Sequence, residues 1–224
     1  MQNKSPTVDQ TKFVKHRFLI LLCALLFFVV ATPFLDALIQ QHFLIDIFVT
    51  VVFLAAMYSI VRKKAHTVFG VLLALPMVIS IWLGYFIQSA TILVVGELFG
   101  IMFIGFAIFG LIKFILAAED ITREVIYAAV IIYLLMALMW SFVYMVLETM
   151  VPGSFNLPGA KAEVAQFVFL YYSFVTITTL GYGDITPATH QAGALTILEA
   201  IVGQIYLVVL VAFLVGMYVS RRAK

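Results

Sequence analysis

Six stretches of almost unbroken apolar residues dominate this chain: Phe18–Ile39, Phe43–Val61, Thr67–Ile87, Ala90–Leu116, Val125–Leu147 and Ala192–Val219. A helix needs about 20 such residues to cross the hydrocarbon core of a bilayer, and each run meets or approaches that length. Only 11% of the residues are charged, where a soluble domain carries roughly 25%. The fold class that follows is an all-α membrane protein with six transmembrane helices.

The first run follows Lys12, Lys15 and Arg17, as the core of a secretory signal would. It is too long for that core and five more spans come after it, so it reads as an uncleaved first helix. Cys23, the single cysteine, lies inside it and reads as a packing residue. Basic residues orient the rest. With the N-terminus inside, twelve of the thirteen Lys and Arg fall in the cytoplasm, including Arg62, Lys63, Lys64, Lys113, Arg123, Arg221 and Arg222; Lys161 alone falls outside. Both termini are therefore expected in the cytoplasm.

The chain divides at the charged, amphipathic stretch "AAEDITREVIY". We read residues 1–17 as a cytoplasmic tail, 18–116 as a four-helix unit, 117–124 as a linker, 125–219 as a second unit and 220–224 as a short cytoplasmic tail. Between the last two spans lies a long insertion, Glu148 to Gln191, which opens with the turn-rich "VPGSFNLPG". Its next part, "AEVAQFVFLYYSFVTITT", is apolar and aromatic but short for a span, which predicts a re-entrant helix.

The stretch "VTITTLGYGDITP", Val175 to Pro187, follows directly. Irregular backbone at membrane depth is tolerated only where protein buries it or where it lines a water-filled path. Gly181 and Gly183 permit backbone conformations that other residues resist. Extended backbone with such residues can turn successive carbonyls toward one axis, and Thr179 can add a hydroxyl. The partly negative C-terminal end of the preceding helix favours a cation there.

These residues resemble the signature of potassium channels of the pore-loop, voltage-gated-like superfamily, here in a bacterial six-transmembrane form. Thr179-Leu180-Gly181-Tyr182-Gly183 matches the selectivity filter position by position, with Leu180 where the family more often has valine. The resemblance implies that the carbonyls of Thr179, Leu180, Gly181 and Tyr182, with the Thr179 hydroxyl, replace the hydration shell of K+. It implies that Tyr182 packs against the pore helix, where Tyr171 and Tyr172 form an aromatic cuff, and that Asp184 anchors the outer mouth by bonding to that cuff. One filter per chain, in a family that closes with four, predicts a homotetramer.

Further residues carry two readings each. Glu148, at the outer end of span five, either braces the loop after the filter or marks the membrane boundary. Gly203 lies nineteen residues after Asp184, where the family often carries a hinge glycine; close packing against the pore helix is the other reading. Glu199 lies four residues earlier, on the same helix face. An acid deep in a span is a functional hypothesis by default: it hydrogen-bonds to the back of the pore helix, ionised or as the neutral acid, or it concentrates cations near the cavity. Gln204, Leu207 and Val211 share another stripe, a candidate cavity lining.

Span four lacks the arginine ladder of a voltage sensor, which needs several charges because each is worth only about 2.3 kcal/mol per 100 mV. It carries the single base Lys113, and Gly96, Gly100, Gly105 and Gly110 at spacings that let helices pack closely. The four-helix unit is thus voltage-sensor-like without gating charges. The expected function is passive, potassium-selective conduction, not conventionally voltage-gated, in a bacterial inner (plasma) membrane. The alternatives are a weakly selective cation channel and, from another class, a transporter or membrane scaffold. No cofactor is expected beyond K+ as permeant ion, and the partners are other copies of the chain, membrane lipid and K+, with no nucleic acid. The scattered His16, His42, His66 and His190 form no catalytic or metal-ligand spacing, so no enzyme is expected.

Overall fold

A computed structural model describes residues 17–39, 43–60, 64–87, 89–157 and 165–222. The N-terminal tail before Arg17, Arg62, Lys63, Lys161 and the end of the C-terminal tail lie outside the described residues, and so do the charge placements assigned to them.

The chain is mostly helical. Four helices, α1 (Arg17–Ile39), α2 (Phe43–Ile60), α3 (Lys64–Gly84) and α4 (Ala90–Leu116), precede α5 (Arg123–Met150), the short α6 (Ala165–Ile177) and α7 (His190–Arg222). Among the described residues, His66–Gly84, Ala90–Leu116, Arg123–Met150 and His190–Met217 are long and apolar enough to cross a membrane. This is a multi-pass membrane protein.

Helix boundaries follow local chemistry. The connection between α4 and α5 is shorter than the 117–124 expected from sequence, because the Thr122 side chain caps α5 by accepting from the Val125 N–H at 3.4 Å. The N-cap satisfies an otherwise orphaned donor and starts the helix at Arg123. Helix α3 stops at Gly84, before the Ile87 expected from its apolar run, and the chain turns there with Ile87 N donating to Leu83 O at 2.8 Å. At the start of α7 the Thr189 hydroxyl accepts from Ala192 N at 3.3 Å.

One continuous apolar core joins the four-helix unit to α5, from Leu21 and Phe28 in α1 through Phe53 and Phe103 to Ile132 and Phe142 in α5. Phe53 stacks on Phe103 at 4.7 Å between ring centres and reaches Phe142 at 6.4 Å. Lipid tails are as apolar as these side chains, so close contact rather than escape from water holds such helices together. Small residues make that contact possible. A Cβ on Gly96 would collide with Ser80 of α3, and one on Gly100 would lie 2.8 Å from Met77 Sδ. Gly105, grouped with them by spacing, meets nothing within 4 Å, because it faces away from the helices of its own chain.

Candidate functional site

Helix α6 has 13 residues, about 20 Å at 1.5 Å per residue. That is well short of the roughly 30 Å hydrocarbon core. It lies between two long apolar helices, α5 and α7, with its last residue, Ile177, fully buried.

The end of α6 sets the backbone of the filter segment. Thr179 N donates to Thr176 O at 2.9 Å and Leu180 N to Val175 O at 3.0 Å. This nested pair is the Schellman arrangement, which demands a left-handed residue just past the helix and usually finds glycine there. Here that residue is Thr179, at φ 59°, the one non-glycine with positive φ among the described residues. A β-branched residue in this region is strained by on the order of 1–3 kcal/mol. Positive φ then recurs at Gly181 (56°) and Gly183 (78°), every second residue. In a regular strand successive carbonyls alternate sides; reversing the sign of φ at alternate residues cancels that alternation and lets neighbouring carbonyls share a side. Gly181 N also turns back to Val175 O at 3.3 Å.

The outer side of the segment is tied down at several points. The Tyr171 hydroxyl donates to Asp184 Oδ2 at 2.7 Å, and Asp184 Oδ1 accepts from Ile185 N at 3.0 Å. Strand β1 (Phe155–Asn156), before α6, pairs antiparallel with β2 (Thr186–Pro187), after the filter segment. Glu148 braces that pair from below: its carboxylate accepts from Gly153 N at 2.8 Å and Phe155 N at 3.1 Å. Its direct partners precede α6, and they are joined to the chain after residue 183 by the β1–β2 pairing and by Ser154 O, which accepts from Ala188 N at 2.8 Å. Tyr172 faces the other way from Tyr171, with its hydroxyl 2.8 Å from Thr196 Oγ1 of α7. Tyr182 is 66% exposed in the single chain.

Behind the segment, Glu199 is fully buried. The Tyr144 hydroxyl of α5 donates to its Oε2, and its Oε1 lies 2.5 Å from Ser173 Oγ of α6. These contacts tie Glu199 of α7 to both α5 and α6. Gly203 sits against the end of α6: a Cβ there would lie 2.5 Å from Ile177 Cγ1 and 3.1 Å from the Ile177 carbonyl oxygen. Helix α7 runs unbroken through it. In the proposed cavity stripe, Gln204 and Val211 are exposed in the single chain and Leu207 is half-buried.

Sequence reasoning missed Tyr133, Tyr144 and Ser173. The Tyr133 hydroxyl reaches the Ile177 carbonyl at 2.9 Å, and Tyr206 of α7 ties to Ala129 O at 2.7 Å. A usable signal existed: Tyr133 and Tyr144 are polar groups in an apolar span, and a buried hydroxyl needs a partner.

Residues 121–220 match a family model described as an ion channel. The match takes in α5, α6, the filter segment and nearly all of α7, and leaves out the first four helices. It supports an ion channel of the pore-loop type. No curated protein and no solved structure matches the chain.

Proposed function

We propose that the protein is a potassium-selective channel, a homotetramer in which four copies of Thr179–Gly183 surround one axis. The observation that carries this reading is the left-handed backbone at Thr179, Gly181 and Gly183, placed at the C-terminal end of a short helix between two long apolar ones. Carbonyls freed from helix and sheet pairing are the hard oxygen donors a dehydrated K+ requires. The C-terminal end of α6 adds partial negative charge nearby. Six spans, α6 as a re-entrant pore helix and both termini in the cytoplasm of a bacterial inner membrane complete the proposal.

One feature supports the assembly. Helix α7 is barely covered within its own chain: Ile197, Ile205 and Val208 are 62%, 57% and 67% exposed.

The test is the reversal potential of the purified protein in a planar bilayer, with K+ on one side and Na+ on the other. A value near the potassium equilibrium potential is the expected result. A value near zero, with clear channel currents, replaces this reading with a weakly selective cation channel. Saturating, turnover-limited flux replaces it with a transporter.

A further inference from the structure

The hydroxyls around Glu199 can be counted proton by proton. Ser173 Oγ lies 2.5 Å from Glu199 Oε1 and 2.7 Å from the Ala137 carbonyl oxygen of α5. Both are hydrogen-bond distances between oxygens; one hydrogen could serve both only as a shared, weakened three-centre bond, whereas two hydrogens satisfy both. The Ala137 carbonyl has none to give, and a serine hydroxyl has one. An ionised carboxylate has none either, which would leave one short oxygen–oxygen contact without a proton of its own. On its other oxygen Glu199 accepts from Tyr144, which uses the hydrogen of that phenol.

The count closes if the carboxyl carries a proton. Tyr144 then donates to Oε2, the acid O–H on Oε1 donates to Ser173 Oγ, and Ser173 donates to Ala137 O. The surroundings agree. Glu199, Ser173 and Tyr144 are all fully buried, and an unpaired charge there is costly. The titratable groups facing Glu199 are Tyr133 and Tyr144 from α5 and Tyr172 from α6, all phenols. No cationic side chain is among its partners among the described residues.

We propose that Glu199 is a neutral carboxylic acid whose proton completes a tie from α7 through Ser173 of the pore helix to the Ala137 backbone of α5. Glu199 is thus a positioning residue: it touches no ion and holds the helix from which the filter segment begins. That role in selectivity rests on the channel reading; the protonation state does not.

A carboxamide presents a donating group on one side and an accepting oxygen on the other, as the neutral acid does, with one N–H more, whereas a carboxylate only accepts. Glu199→Gln should therefore preserve the assembly, its thermal midpoint and its reversal potential. Glu199→Ala leaves the Tyr144 hydroxyl without the Glu199 acceptor and Ser173 Oγ without its donor, and should shift the folding equilibrium on the order of tenfold or more toward the unfolded state. Infrared difference spectroscopy on the purified full-length protein at neutral pH reads the proton directly. The wild type should show the carbonyl stretch of a protonated acid that Glu199→Gln lacks and that Ser173→Ala shifts in frequency. The proposal is overturned if the Ser173→Ala and wild-type spectra coincide in that region, or if Glu199→Gln falls to the level of Glu199→Ala. A protonated band without K+ selectivity sinks the channel reading alone; K+ selectivity without the band sinks this one alone.

Discussion

Helices α1–α4 and helices α5–α7 draw on the same apolar alphabet and are held together differently. In α1–α4 the contacts that fix helix against helix are mainly van der Waals: the Phe53–Phe103 stack, and Gly96 laid on Ser80. The polar ties there are single bonds: Ser80 to the Ile92 carbonyl at 2.8 Å, Ser59 to the Arg17 carbonyl at 3.1 Å, and Tyr85 to Asp46 at 2.5 Å. In α5–α7 the helices are joined by hydroxyl and carboxyl groups at depth: Tyr144 and Ser173 on Glu199, Tyr133 on Ile177 O, Tyr206 on Ala129 O. Dispersion contacts are non-directional and allow small slides. A fully satisfied buried polar network fixes one geometry. If Thr179–Gly183 coordinates an ion as proposed, its donors need the second kind of construction, and a surrounding bundle does not.

The sharpest way to break this contrast is Gly181→Ala. No atom lies within 4 Å of the added Cβ in the chain, but φ is +56°, and an L-residue there is strained by roughly 1–2 kcal/mol. Under the proposed function, selectivity should be lost, with the reversal potential moving to near zero, while the assembly seen for the wild type in light scattering is kept. A selective Gly181→Ala channel would mean that backbone conformation at this position does not set selectivity.

Gly203→Ala comes next. Its Cβ meets both the Ile177 side chain and the Ile177 carbonyl, so overpacking should cost about 1–3 kcal/mol and change currents as well as thermal stability. Gly96→Ala provides the matched comparison. Its Cβ collides with the Ser80 Cβ, which is fixed to the α3 backbone, so α3 and α4 must separate. The stability loss should be similar, about 1–3 kcal/mol, with the reversal potential unchanged. If both variants alter selectivity equally, the two units are not mechanically distinct.

Tyr171→Phe removes one hydrogen bond beside residues 179–183, the one to Asp184. Its effect on thermal stability should be about 0.5–1.5 kcal/mol, with currents that run down faster under sustained recording. Gly105→Ala has the smallest effect and the opposite sign. With open space around its Cβ, relief of glycine's helix penalty should stabilise the protein by about 0.5–1 kcal/mol, read as a raised unfolding temperature.

Much of this was legible in the sequence because the constraints are local. Apolar run length gave the helices, and α4 begins and ends where its run does, at Ala90 and Leu116. The glycine spacing at 181 and 183 marked where positive φ occurs. Periodicity within one span said that Gly105 belongs with Gly96 and Gly100, but only the neighbouring helices decide which of them is covered. The left-handed Thr179 was invisible as well, because propensity assigns such a conformation to glycine and only the way α6 ends requires it here.

The acid at 199 was visible as an anomaly, an ionisable group deep in an apolar span. Its partners come from positions 144 and 173, 55 and 26 residues away. A sequence determines which groups must be satisfied; it does not determine which distant groups will be close enough to satisfy them. That choice belongs to the packing of α5, α6 and α7, because a hydrogen bond depends on tenths of an ångström between elements whose separation no local rule specifies.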